Sequence, residues 1–293
     1  MADPSIALAT CADVPELDED DQLLIPALEA TGASVDVVVW DDPGVRWKQY
    51  DAVVIRSTWD YAEKHDEFVE WLDRAAKASL VMNPSKLIAW NMDKGYLGVL
   101  GAGGVPTVPT RYVQPGGYLR LPTNGEFVIK PTVSAGSRDT ARYDAKSDGM
   151  AAVGHAQGIL DSGRTVMIQP YLESVDIRGE TALVFLDGEF SHAVRKEALL
   201  ELSGAPTEEL FAPEDISPAS ASDAELEVAQ TTLEAMPTSL GVPVYARVDL
   251  LHTSQGPVLL ELEMAEPSLF LRHEESAAAR FAAAIQRRIA DGE

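Results

Sequence analysis

The chain has 293 residues, enough for two or three compact lobes, and its 46% hydrophobic and 24% charged content is that of a folded protein rather than a disordered one. Lysine and arginine total 23 against 47 aspartate and glutamate, a formal charge of −24, which repels polyphosphate backbones and anionic lipid and so excludes nucleic acid and membrane as leading partners. The single cysteine, Cys11, forbids an internal disulfide, and with no basic leader and no apolar run near the ~20 residues of a bilayer span, a cytoplasmic protein is expected.

Short β-branched runs at Ile6–Thr10, Val35–Trp40 and Ala52–Ser57 predict strands, and apolar residues at helical spacing predict helices over Asp21–Ala30 and His65–Ala78. Strand–helix–strand order implies a small parallel sheet, residues 1–83, whose carboxyl strand ends carry Thr10–Asp13 and Arg56–Tyr61. Asn83-Pro84-Ser85 starts a helical stretch that the turn Gly101–Gly104 ends. Strands then follow at Thr110–Val113, Phe127–Lys130, Thr140–Tyr143 and Val166–Gln169, with a helix near Asp148–Leu160, giving a central α+β lobe over 84–172. A third lobe, 173–293, opens with the hairpin Thr181–Leu186 and Phe190–Lys196 about Asp187-Gly188. A polar loop over Ser203–Ser222, a helix over Glu225–Leu240, a second hairpin of Val244–Leu251 with Val258–Met264, and a helix from Glu274 to Ala290 complete it.

The second hairpin carries the chemistry. Its turn, His252–Pro257, centres a pairing in which residue numbers sum to about 510, placing Asp249 opposite Glu261 and Arg247 opposite Glu263, with Leu260 and Leu262 on the reverse face. Two carboxylates directly opposed need a cation between them, and oxygen ligands without histidine or cysteine point to Mg²⁺ or Mn²⁺. In a protein this acidic, a solvated outer face is the plain alternative. A metal held by few carboxylates commonly also contacts phosphates. No P-loop is present, but the strand Phe127–Pro131 ends in Lys130 and leads to Ser134, Ala135, Gly136 and Ser137, small residues that let backbone N–H groups approach a polyphosphate. Cys11, Trp59 and Trp90 are read as packing, and the five histidines have no ligand spacing.

The order of Lys94, Ile129-Lys130-Pro131 with its small-residue loop, Gln169-Pro170-Tyr171-Leu172, Arg247-x-Asp249 and Glu261-x-Glu263 resembles the ATP-grasp ligase superfamily over about residues 84–290, within its glutathione-synthetase-like branch. Arg56–Tyr61, Val133–Tyr143 and Glu261–Phe270 are similar to the cyclo-ligases of D-cycloserine biosynthesis. The resemblance implies three lobes with ATP held between the second and third. It implies that Lys94 and Lys130 contact ATP phosphates and Ser134–Ser137 form a flap over them. Gln169, Tyr171 and Leu172 fall where the family reads adenine, and Asp176 where it holds ribose. Arg178 and Arg195 match arginines that reach the transferring phosphate, and a hairpin sum of about 375 puts them on one face with Glu180; the plain alternative for Arg195 is a pair with Glu180. Arg247 matches the oxyanion-stabilising arginine, and Asp249 and Glu261 match metal ligands. Glu263 replaces the usual asparagine as the third. Arg56, Ser57, Thr58, Glu266 and Ser268 are the substrate candidates.

The expectation is an ADP-forming carboxylate–amine ligase that uses ATP and two Mg²⁺ ions, acts through an acyl phosphate on an amino-acid-like substrate, and, on the narrower resemblance, closes a ring as in O-ureido-D-serine to D-cycloserine. The alternatives are a non-catalytic ATP-binding protein and a small-molecule kinase. A homodimer is expected from base rates alone.

Overall fold

The computed structural model describes residues 3–206 and 215–292. Strands β1 (Ser5–Thr10), β2 (Ser34–Val39), β3 (Ala52–Ile55) and β4 (Leu80–Met82) form a wholly parallel sheet in the order β2-β1-β3-β4. β1 and β3 are buried nearly throughout because helices cover both faces. Helix α2 (His65–Ala78) presents Phe68, Trp71, Leu72 and Ala75 to one face; α1 (Leu24–Glu29) and the last helix cover the other. The predicted helix over Asp21–Ala30 starts late, after a 3₁₀ turn at Asp21–Leu23. Pro26 has no N–H to offer the Gln22 carbonyl, so it is tolerated only in a first turn.

After α3 (Ser85–Asn91) and α4 (Tyr96–Ala102), strands β5 (Arg111–Val113), β6 (Glu126–Pro131), β7 (Ala141–Asp144) and β8 (Val166–Pro170) make an antiparallel sheet in the order β5-β8-β6-β7. Helix α5 (Gly149–Asp161) packs on it through Ala152, Ala156, Ile159 and Leu160. Although α3 and α4 precede this sheet in the chain, Leu87, Tyr96, Leu97 and Leu100 are buried in the core of the next one.

That next sheet, in the order β11-β10-β9-β12-β13, follows α6 (Ser174–Arg178) and contains β9 (Glu180–Leu186), β10 (Glu189–Lys196), β11 (Ile216–Ala219), β12 (Tyr245–Thr253) and β13 (Gly256–Glu263). Helix α7 (Asp223–Glu234) begins with a capping box between Ser222 and Glu225. Within the expected loop Ser203–Ser222, residues 216–219 pair with β10 at the sheet edge, where Pro218 is tolerated; residues 207–214 lie outside the described ones. Helix α8 (Ala277–Asp291) sets Phe281, Ala282 and Ile285 against Ile6, Leu8, Leu24 and Leu28 of the first unit and Val184 and Leu186 of β9. Asn83 joins the same two units: its Nδ2 donates to the carbonyls of Tyr245 (2.9 Å) and Met264 (2.8 Å), and its Oδ1 accepts from the Val244 N–H.

The β9–β10 hairpin turns at Asp187 (φ +54°) and Gly188 (φ +80°), the doubly left-handed turn that suits a two-residue hairpin. Its register slips at Ser191, so that Lys196, not Arg195, lies opposite Glu180, while Arg195 pairs with Thr181. Side chains alternate faces along a strand, so this single bulge moves every residue beyond it to the other side.

Candidate active site

In β12 and β13, Arg247 lies opposite Glu263 and Asp249 opposite Glu261, as the residue pattern predicts. Beyond Asp249 the pairing slips, Leu250 meeting Leu259, and Leu260 is turned from the reverse face into a cavity of about 630 Å³. The cavity is bounded by the central sheet, the third sheet and the loop after β3, and it gathers most of the expected residues: Lys94, Lys130, Ser134–Ser137, Gln169, Tyr171, Leu172, Arg247, Asp249, Glu261, Glu263, Glu266 and Ser268.

The opposed carboxylates are compensated by basic side chains. Lys94 Nζ is 3.0 Å from Glu261 Oε1 and donates to the Ser134 carbonyl at 2.7 Å, tying the small-residue loop to the cleft. Lys130 Nζ lies 3.7 Å from Glu261 Oε2. Arg247 forks onto Asp249 (Nε to Oδ1 and Nη2 to Oδ2, both 2.9 Å) and reaches Glu263 Oε1 at 2.7 Å. Lys196 Nζ stands 3.5 Å from Asp249 Oδ2 and 3.4 Å from Glu180 Oε2. Burial pushes the Glu261 and Asp249 carboxyls up, but Lys94 with Lys130, and Arg247 with Lys196, outweigh it and hold both below the usual carboxylate range. At Glu263 burial prevails over Arg247, the charges of Glu261 and Asp249 add to it, and the carboxyl is raised to about 8. Burial likewise lifts Glu266 to about 7, against the pull of Lys94. Burial lowers Lys130, and the like charge of Lys94 adds to this against the pull of Glu261.

Of the three carboxylates expected to clasp one ion, Asp249 and Glu261 lie directly opposed and Glu263 stands one same-face position further along the hairpin; among the described residues no three acidic, histidine or cysteine side chains are gathered on one metal-sized point. Arg247 pairs with both Asp249 and Glu263, and Lys94 and Lys130 pair with Glu261. The donor set nevertheless fits a hard cation, since Mg²⁺ is held by one or two carboxylates together with substrate phosphates and water, and Asp249 and Glu261 stand side by side among Lys94, Lys130, Lys196 and Arg247.

At the other end the cavity is apolar. Val108, Val175, Leu251 and the redirected Leu260 pack with Tyr171 and Leu172, while Gln169 is buried and donates to Thr110 Oγ1 at 2.9 Å. Asp176 does not line this space. It is exposed and accepts from the Tyr171 hydroxyl (2.6 Å) and from Arg142 (3.0 and 3.2 Å), whose guanidinium lies 3.5 Å over the Tyr171 ring.

Five further expectations part from the geometry. Arg178 is exposed at the end of α6 and Arg195 is carried to the reverse face by the Ser191 bulge, where its Nη1 lies 3.2 Å from His252 Nε2; neither borders the cavity. Arg56, Ser57 and Thr58 are fully buried and do not border it either. Arg56 is spent on Asp21 (2.7 Å) and the Pro267 carbonyl (2.6 Å), and Ser57 Oγ donates to Asp21 Oδ2. Cys11 is enclosed in the apolar core, as a packing residue should be, and burial raises its thiol.

The reading of the residues missed Lys196, Glu180, Trp59 and Tyr61, all of which border the cavity. Trp59, expected to pack, donates its indole N–H to the Glu266 carbonyl at 3.1 Å, and the buried Tyr61 hydroxyl bonds the Glu266 carboxylate. The positions of Trp59 and Tyr61 just past a parallel-strand end were the available signal; Lys196 had none, because a bulge leaves no local mark in the sequence.

Comparison with known proteins agrees with this architecture. A family model described as the N-terminal domain of the D-cycloserine synthetase DcsG matches residues 6–83. The cycloserine biosynthesis protein DcsG of Streptomyces lavendulae is 37% identical over 97% of this chain and 98% of its own. A crystal structure of D-cycloserine synthetase DcsG superposes with a TM-score of 0.89 at 36% identity, covering 97% of this chain and 99% of that one. A D-alanine–D-alanine ligase from Bacillus anthracis, crystallised with ATP, shares the fold at a TM-score of 0.66 and 13% identity over 99% and 98% of the two chains. The parallel-sheet unit followed by two antiparallel sheets around a lysine- and carboxylate-lined cleft is thus the ATP-grasp fold, and the chain belongs to the D-cycloserine synthetase DcsG family.

Proposed function

We propose that this enzyme is an ADP-forming carboxylate–amine ligase that closes a ring within one amino-acid-like molecule, O-ureido-D-serine being the substrate implied by its resemblance to the cyclo-ligases of D-cycloserine biosynthesis. The observation that carries the reading is the division of one cavity into an apolar end and an end where Lys94, Lys130, Lys196 and Arg247 surround Glu261 and Asp249. An adenine fits the first and a triphosphate the second.

In this reading Lys94 and Lys130 bind the phosphates from either side of Glu261, and Ser134–Ser137 close over them. Asp249 and Glu261 would hold Mg²⁺, with Glu263 as a third oxygen donor; the ion, when bound, offsets the charge of the phosphates as it redistributes during transfer. The substrate carboxylate attacks the γ-phosphorus and ADP leaves, giving an acyl phosphate. The substrate nitrogen then adds to that carbonyl, Arg247 stabilises the oxyanion, phosphate departs, and the nitrogen gives up its proton to water; with O-ureido-D-serine the ring nitrogen still bears the carbamoyl group, which water must remove to leave the free ring. Lys196 takes the place at the transferring phosphate expected of Arg178 and Arg195. Glu266 and Ser268 face the acceptor. The lone buried Cys11 suits a reducing compartment such as the cytoplasm.

The test is incubation with ATP, Mg²⁺ and O-ureido-D-serine. Substrate-dependent ADP and a cyclic product are expected; AMP with pyrophosphate would overturn the reading. Hydroxylamine trapping separates a ligase from a kinase of the same fold, because an acyl phosphate yields a hydroxamate and a phosphate ester does not.

A further inference from the structure

The segment after β13 is neither helix nor strand, yet six consecutive carbonyls in it each meet a side-chain donor. Asn83 Nδ2 reaches Met264 at 2.8 Å, the Tyr245 hydroxyl lies 3.0 Å from Ala265, and the Trp59 indole meets Glu266 at 3.1 Å. Arg56 Nη2 donates to Pro267 at 2.6 Å, Arg247 Nη1 to Ser268 at 3.0 Å, and His192 Nε2 stands 2.9 Å from Leu269. Just beyond Phe270, the amides of Leu271 and Arg272 donate to the Asp20 carboxylate at 2.7 and 2.9 Å. An irregular segment ordinarily turns such groups to water. Here donors from four separate regions fix it, and what it presents to the cavity is Ala265, Glu266, Ser268 and Phe270, of which Glu266 and Ser268 carry polar side chains.

Arg56 is the most unusual of these donors. It is fully buried, forks onto Asp21 through Nε and Nη2 (2.9 and 2.7 Å), lies 5.3 Å from the Tyr245 ring centre and 5.6 Å from that of Phe281, and leaves Nη1 buried with no hydrogen-bond partner among the described residues. A buried ion pair is weak as a source of stability compared with apolar packing of the same volume, so what distinguishes Arg56 is where its guanidinium reaches. The contact that only a guanidinium delivers here is the one to Pro267, midway between the two polar side chains offered to the acceptor.

We infer that Arg56 is a positioning residue: oriented by Asp21, it fixes the Pro267 carbonyl and thereby the places of Glu266 and Ser268, which decide the acceptor the cleft takes. The inference rests on the ligase reading above. Misplacing such groups by about 1 Å is enough to cost a reaction up to about 10²-fold, and Arg56 acts on binding of the acceptor while leaving the nucleotide end, on the far side of Glu261, untouched.

Arg56→Lys in the full chain is the test, because lysine keeps the charge opposite Asp21 but cannot fork onto Asp21 and reach Pro267 together. ADP release is measured against O-ureido-D-serine and against ATP. The expected result is an acceptor KM raised about tenfold with an ATP KM within about twofold of the parent, and faster backbone hydrogen exchange confined to residues 266–272. An unchanged acceptor KM, equal rises in both KM values, unchanged exchange in the segment, or unfolding of the variant would each overturn it, the last by making Arg56 an ordinary stability element. If the parent itself does not turn over O-ureido-D-serine, the substrate reading fails, whereas the exchange measurement, made without substrate, still decides the role of Arg56.

Discussion

Lys196 stands between Glu180 and Asp249, 3.4 Å from one carboxylate and 3.5 Å from the other, and is nearly closed off from solvent. Its neighbour Arg195 points to the opposite face of the same strand and meets His252. The two therefore separate cleanly in experiment. Lys196→Met is expected to lower kcat about 10²-fold, the usual cost of removing a preorganised charge at a transferring phosphate, with Arg195→Met costing far less. Coupled ADP release checks both.

Glu261 is the point on which Lys94 and Lys130 converge. Glu261→Gln keeps its shape and removes its charge, so the Mg²⁺ concentration needed for half-maximal activity should rise about tenfold or more while the fold persists. A magnesium titration of ADP release, with circular dichroism on the same sample, reads both outcomes. An unchanged magnesium requirement would remove Glu261 from the metal site.

The Glu266 carboxyl, held at about 7 against an ordinary 4.5, retains a proton in the folded chain that the unfolded chain has lost. Its contribution to stability is complete below about pH 4.5, declines as pH rises between 4.5 and 7, and is gone above that. In Glu266→Gln this slope disappears. Melting temperature followed from pH 4.5 to 8 should therefore fall less steeply for the variant than for the parent, with the two curves diverging most above pH 7.

Asn83 answers four backbone groups at the start of β12 and the end of β13 from the end of the first sheet: the carbonyls of Tyr245 and Met264 and the N–H groups of Val244 and Tyr245. Asn83→Ala would leave them buried without partners, at a cost of about 2–4 kcal/mol. The expected sign is a lower denaturant midpoint with an unchanged slope; a change in slope instead would mean that the two units come apart separately.

Much of this was legible from residues alone, and the failures have identifiable causes. The α2 helix and the Asp249–Glu261 register are set by local periodicity and a turn centre, both written in neighbouring residues. Arg195 falls on the face opposite to the one expected because of the bulge at Ser191, which no local residue pattern marks. Arg56, Ser57 and Thr58 look like a ligand site because parallel strand ends ordinarily open outward. Here Asp21 and Tyr245, 35 and 189 positions along the chain from Arg56, fill that crevice. Leu260 was assigned to the wrong face by the assumption of unbroken alternation, which one slip of register defeats.

The packing of α8 carries a consequence for how the molecule is made. Phe281, Ala282 and Ile285 complete one side of the layer built on Ile6 and Leu8, so on the ribosome that side stays uncovered until the residues bearing the whole catalytic cleft have been synthesised. The first unit therefore completes this face only once α8 has been made: β1 waits for a helix more than two hundred residues further on, while the central sheet, which has a core of its own with α5, need not.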